Sequence, residues 1–171
     1  MIDQKVIKAL KDKNEAAFEY VYNQTKRGVY TMIFSVVKSH PTAEDIMQDV
    51  YMKMMTSIDQ YQDKTNFYNW VITIAKNQAI DYYRRNKKQF YIDNEEHNAL
   101  LTSQEPSPDE HTHFDMMIEM LNEDQRSVVL LKIVDNMKFK DISKVLDKPL
   151  GTVIWIYQEA MKVLKKFEGL S

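Results

Sequence analysis

Apolar residues recur at helical spacing along most of this chain. Val6, Ile7 and Leu10 mark one face of a short helix in "QKVIKALKDKN". Phe18, Val21, Tyr22, Val29, Met32, Ile33, Val36 and Val37 mark a much longer one. Gly28 falls in the middle of the long pattern and weakens it without breaking it. His40-Pro41 predicts its end, because the residue before a proline is pushed out of the helical region. The period resumes at Ile46, Met47, Val50 and Met54, where Thr42 and Asp45 resemble a capping box with Asp in place of Glu or Gln. Glu44 and Asp45 also suit the positive end of a helix dipole. A polar loop with three aromatics, "DQYQDKTNFYN", leads into a helix over "NWVITIAKNQAIDYYRRNKKQF", residues 69–90. Residues 91–113 have no helical period, and "EPSPDE" reads as a linker. Pattern returns at "FDMMIEMLNEDQRSVVLLKIVDNM". The tail "FKDISKVLDKPLGTVIWIYQEAMKVLKKF" then reads as short helix, turn, longer helix. There is no internal repeat.

Composition supports an all-α chain. Three glycines and four prolines are too few for the turns of a β-rich fold. The 171 residues suffice for one larger or two small domains. The absence of cysteine excludes disulfides and thiolate metal sites and fits a reducing cytoplasm, the expected location. No apolar run reaches the length of a membrane span, and the N-terminal apolar residues are spaced for a helix face rather than a signal peptide. No membrane insertion is expected. The net charge of −2 conceals a segregation: residues 91–125 hold ten acids and no Lys or Arg, so the remainder has a surplus of eight cations. Two basic modules flanking an acidic connector suggest a polyanion as partner, although a soluble tether needs no such partner.

Candidate chemistry lies on helix surfaces. At 100° per residue, Trp70, Thr73, Asn77, Asp81, Arg84 and Lys88 share one face of their helix, flanked by Arg85 and Lys87. Val71, Ile72, Ala75, Ala79, Tyr82 and Tyr83 form the opposite, core face. Cations for phosphate, with Asn and Trp for exposed bases, make a nucleic-acid surface; a solvated face with ion pairs such as Asp81–Arg85 is the plainer reading. The C-terminal hairpin has the helix-turn-helix plan, with Pro149 suited to the first turn of the second helix. Val153, Ile156, Tyr157, Ala160 and Leu164 are its core positions, leaving Ile154, Trp155, Gln158, Glu159, Lys162, Lys165 and Lys166 outward. Gln158 suits a base edge and the lysines suit phosphates, while Ile154 and Trp155 fit either thymine methyls or a protein. Glu44, Asp45 and Asp49 lack further groups to complete a metal site, and His111-Thr112-His113 lacks a rigid frame, so no metal is expected. No catalytic triad, phosphate loop or tuned carboxylate pair is present, and neither enzyme activity, cofactor nor small-molecule substrate is expected.

Three stretches together carry a family resemblance: "AEDIMQDVYMKM", "FYNWVITIAKNQAIDYYRR" and "FKDISKVLDKPLGTV…YQEAMKVLKK". Residues 17–88 resemble domain two, and residues 119–167 domain four, of the extracytoplasmic-function sigma factors of bacterial RNA polymerase. The resemblance implies an all-α chain of two small helical domains joined by a flexible acidic linker, at 1–90, 91–115 and 116–171. It implies that Asp45, Gln48 and Asp49 dock on core RNA polymerase. It implies that Trp70, Asn77, Asp81, Arg84 and Arg85 bind and open the minus-ten promoter element, with Lys88 at the end of the same face. From their residue type, Tyr61, Phe67 and Tyr68 are read as loop aromatics that stack on an extruded base. Thr152, Trp155, Gln158 and Lys162 are expected at the minus-thirty-five element, although Ile154, Gln158 and Glu159 stand where many members are basic. Family linkers run through polymerase channels, which an acidic strap suits, and growing RNA displaces them. An anti-sigma protein is a further implied partner.

Two other functions fit parts of the pattern. A sigma-like interaction module would use Ile154 and Trp155 to bind protein and would not support initiation. A two-domain helix-turn-helix repressor would bind duplex DNA without polymerase and would need to dimerise.

Overall fold

The computed structural model describes residues 2–62, 65–86 and 113–169. Lys88 and nearly all of the expected 91–115 linker lie outside them. The described elements are helices α1 (Gln4–Lys11), α2 (Glu15–Val37), α3 (His40–Ser57), a 3-10 turn (Ile58–Gln60), α4 (Phe67–Arg85), α5 (His113–Glu119), α6 (Glu123–Ile133), α7 (Phe139–Leu146) and α8 (Leu150–Phe167). The all-α expectation holds among the described residues.

The sequence starts its helices with short polar side chains. Asp3, Asn14, Ser39 and Asn66 each accept a hydrogen bond from a backbone N–H of the following turn. Asn122 and Gln125 form a reciprocal capping box at α6. The cap of α3 is thus Ser39, three residues before the expected Thr42. His40-Pro41 opens α3 rather than ending α2, since a proline in a first turn loses no helical hydrogen bond. α2 ends instead at Lys38, whose left-handed backbone (φ 56°) turns its N–H onto the Phe34 carbonyl.

α2 is the axis of the N-terminal group, packed against α1, α3 and α4. Val21, Val29, Met32, Ile33, Val50, Met54, Val71 and Ile72 are sealed from solvent between them. Thr25 Oγ1, inside this core, returns to the Val21 carbonyl at 2.8 Å and meets Tyr51 Oη at 2.8 Å, so neither hydroxyl is left unsatisfied. In the C-terminal group, α6, α7 and α8 close over Leu131, Ile142, Val145, Val153 and Ala160. The two groups also touch each other: α6 lies along α2 and α7 along α4, and the buried apolar residues form one continuous cluster.

Candidate nucleic-acid interface

α4 keeps its expected inner face. Val71, Ile72, Ala75 and Ala79 are buried, with Tyr82 and Tyr83 partly so. On the other side Asn77, Asp81, Arg84 and Arg85 are exposed, while Trp70 and Thr73 are half-buried. Arg85 Nε donates to the Asp81 carbonyl at 3.3 Å, and no Asp81–Arg85 carboxylate pair forms. Both guanidinium groups at the end of α4 therefore remain open to an anion.

The expected loop aromatics are placed differently. Phe67 and Tyr68 belong to the first turn of α4, and Phe67 and Tyr61 are buried, at 3 % and 5 % exposure. Tyr61, Phe67 and Trp70 make a three-ring cluster with centroids 5.0 to 5.5 Å apart, and the Tyr61 hydroxyl donates to the Thr65 carbonyl. Burial of such large rings outweighs leaving them in water, and the one polar tip has its partner. Tyr61 and Phe67 thus brace the loop and present no free ring; the accessible edge of the cluster is Trp70.

α3 projects Asp45, Gln48 and Asp49 into solvent, opposite the buried Ile46, Val50 and Met54. Met52, 68 % exposed, falls on that same outer face. Periodicity alone could have located it, because it lies one turn beyond Gln48 and off the apolar stripe.

At the C-terminus, α7, the turn Asp147-Lys148-Pro149 and α8 form the expected helix-turn-helix, with Val153, Ile156, Ala160 and Leu164 inward and Tyr157 half-buried. Thr152, Trp155, Gln158 and Lys162 are exposed together on α8, and Trp155 is 60 % exposed. Ile154, expected outward, is half-buried. A groove of about 550 Å³ runs between α8 and the start of α6, lined by Asn122, Gln125, Lys148, Thr152, Trp155 and Glu159. Carboxylates temper its charge: Lys148 pairs with Asp124 at 3.0 Å and Lys162 with Glu159 at 2.6 Å. The capping box already occupies the N-terminus of α6, and Glu123 and Asp124 sit in its first turn. The groove lining sets Glu123, Asp124 and Glu159 against Lys148, so phosphate would meet a net negative surface here, in contrast to the end of α4.

Polar contacts that periodicity did not reveal join the two helical groups. Tyr68 Oη donates to both carboxylate oxygens of Asp135 at 2.6 Å, and Asn69 Nδ2 donates to Asp141 Oδ1 at 2.8 Å. Ser35 and Ser127 share a hydrogen bond at 2.9 Å. Arg126, only 4 % exposed, donates from Nε to the Ser35 carbonyl at 2.5 Å and from a terminal nitrogen to the Leu121 carbonyl at 2.9 Å. Burial pushes the Tyr68 phenol and the Asp135 carboxyl up; the hydrogen bond between them raises the former and opposes the rise of the latter. No group of acidic or histidine side chains suited to a metal ion occurs among the described residues, and His113 instead packs against Phe167.

The chain matches the family model for sigma-70 region 2 over residues 21–89 and that for sigma-70 region 4 over residues 113–154. It is 25 % identical over 180 residues to the extracytoplasmic-function (ECF) RNA polymerase sigma factor SigW of Bacillus subtilis, covering 97 % of this chain and 96 % of that one. It is 24 % identical to SigX of the same organism, covering 89 % and 84 %. Among solved structures it resembles CnrH in complex with the cytosolic domain of CnrY (TM-score 0.73, 16 % identity, 99 % and 98 % covered). It also resembles RpoE of Bartonella quintana in complex with the anti-sigma factor NepR (TM-score 0.64, 18 % identity, 90 % and 98 % covered). With both regions present in order, the chain belongs to the sigma-70 family, as an extracytoplasmic-function sigma factor.

Proposed function

We propose that this protein binds core RNA polymerase in the cytoplasm, directs it to a limited set of promoters and helps to separate the strands at the start region, without itself catalysing a reaction. In this reading residues 1–90 and 116–171 are the two working domains and 91–115 is their acidic connector. Asp45, Gln48 and Asp49, with Met52 beside them, contact the polymerase. Asn77, Asp81, Arg84 and Arg85 contact the minus-ten element, with Trp70 at the edge of the strand-separated region; Thr152, Trp155, Gln158 and Lys162 contact the minus-thirty-five element. An anti-sigma protein is a further partner.

The observation that carries this reading is the open stripe at the end of α4, where Asn77, Asp81, Arg84 and Arg85 stay exposed although the neighbouring helices pack tightly. Cations there suit phosphate, and the asparagine suits a base edge. Arg84→Ala with Arg85→Ala is expected to abolish permanganate-detected opening of the promoter while core-polymerase binding persists. Unchanged opening would make the stripe ordinary solvated surface.

A further inference from the structure

With eleven methionines and no cysteine, the chain offers oxidants thioether sulfur and no thiol. Packing sorts these methionines sharply. Met32 and Met54 are sealed in the N-terminal core, and Met137 is buried in the C-terminal group. Met116 and Met120 are exposed on and just beyond α5. Met52, at 68 %, is more exposed than any other large apolar side chain among the described residues. Its place on α3 is specific. The inward side of that helix is Ile46, Val50 and Met54. The outward side is Asp45, Gln48, Asp49 and Thr56, and Met52 falls between Gln48 and Asp49, one turn further on. Half-buried Met55 borders the same face. Met52 is therefore the apolar centre of an otherwise polar surface.

A flexible thioether fits irregular apolar gaps in a partner surface and asks for no hydrogen bond there. A hydroperoxide changes that chemistry. The sulfur lone pair attacks one peroxide oxygen, the O–O bond breaks and the sulfur–oxygen bond forms. The second oxygen leaves as water, taking up the proton released from the first. Sulfur is oxidised by two electrons and the peroxide is reduced by the same two. The product is a polar, chiral sulfoxide, a step that sulfoxide reductases reverse. On docking, its oxygen must give up water, and it resists burial unless the partner supplies a donor. On the free chain it stands in solvent and disturbs no packing, while the core methionines stay shielded.

We propose that Met52 is a reversible oxidation site, at which a hydroperoxide converts the free chain to a sulfoxide form that no longer docks tightly on core polymerase. This rests on the docking role given to α3 above. Docking covers the sulfur, so the free chain is sensitive and the assembled chain is protected. The test treats the full chain with hydrogen peroxide, alone and after assembly with core polymerase. Trypsin cuts at Lys53 and separates Met52 from Met54, so peptide mass spectrometry reads each sulfur by itself. One added oxygen is expected on the Met52 peptide of the free chain, ahead of the Met32 and Met54 peptides, and not on the assembled chain. Affinity for core polymerase is expected to fall about ten-fold on oxidation, the equivalent of losing one buried apolar side chain. Circular dichroism should stay unchanged, and methionine sulfoxide reductases acting on both epimers should restore the affinity. Met116→Leu with Met120→Leu should respond to peroxide as wild type does. In Met52→Leu, peroxide should leave the affinity at its starting value, whatever that is. Undiminished docking of a chain oxidised at Met52, or equal loss in Met52→Leu, would overturn the switch alone. An untreated chain that fails to bind core polymerase would overturn the docking reading and the switch together.

Discussion

Arg126 offers a sharp test of what holds the two helical groups together. It is a buried cation with no carboxylate in ion-pair contact among the described residues, held by the carbonyls of Ser35 and Leu121. Ser35 lies in the last turn of α2, whose final carbonyls lack partners within the helix, so the guanidinium acts as a cap supplied by another element. It also sits at the negative end of the α2 dipole. Each charge-assisted bond contributes roughly 1.5–3 kcal/mol, partly offset by removing the cation from water, an effect visible in the lowered Arg126 pKa. Arg126→Met keeps most of the volume but leaves both carbonyls without a donor, at about 1–3 kcal/mol for each buried group. The expected loss is therefore about 3 kcal/mol, a large part of the 5–15 kcal/mol typical of a folded chain. Urea unfolding followed by circular dichroism measures it. A lower midpoint with a reduced slope would add that α2 and α6 no longer unfold together. Arg126→Met within about 0.5 kcal/mol of wild type would refute the reasoning, because the two carbonyls would then not depend on this donor.

Other expectations follow from the same geometry. Asp45→Lys with Asp49→Lys should weaken core-polymerase pull-down without lowering thermal stability, since both side chains are exposed. Glu159→Gln removes the carboxylate holding Lys162, so log affinity for promoter duplex against log salt should steepen by about one unit. Leu131→Ala, at a fully buried position in the C-terminal core, should cost about 2–5 kcal/mol in urea unfolding.

The helix faces were legible because burial repeats every three to four residues. Val153, Ile156, Ala160 and Leu164 turned inward as their spacing required, and Asn77, Arg84 and Arg85 stayed out. What stayed hidden depends on partners far along the chain. Tyr68 and Asp135 are 67 residues apart, and Ser35 and Ser127 are 92 apart, so neither pair leaves a periodic trace. Gly28, which reads in isolation as a weak helix position, has its explanation in a tyrosine and an aspartate from two other elements. Tyr61 and Phe67 looked available because they stood in a polar run; their mutual packing with Trp70 overrode that local context. At α3, the serine cap moved the helix start ahead of a proline that the restriction on the preceding residue had marked as a stop.

These helices are expected to give core RNA polymerase a promoter it does not otherwise find. Run-off transcription with purified core enzyme and this chain, on genomic fragments that include the one upstream of its own gene, tests that claim directly. Discrete transcripts that depend on the chain and disappear with Arg84→Ala plus Arg85→Ala are expected. Stable binding to core enzyme with no promoter-specific transcript would contradict it and would favour an interaction module that no longer initiates.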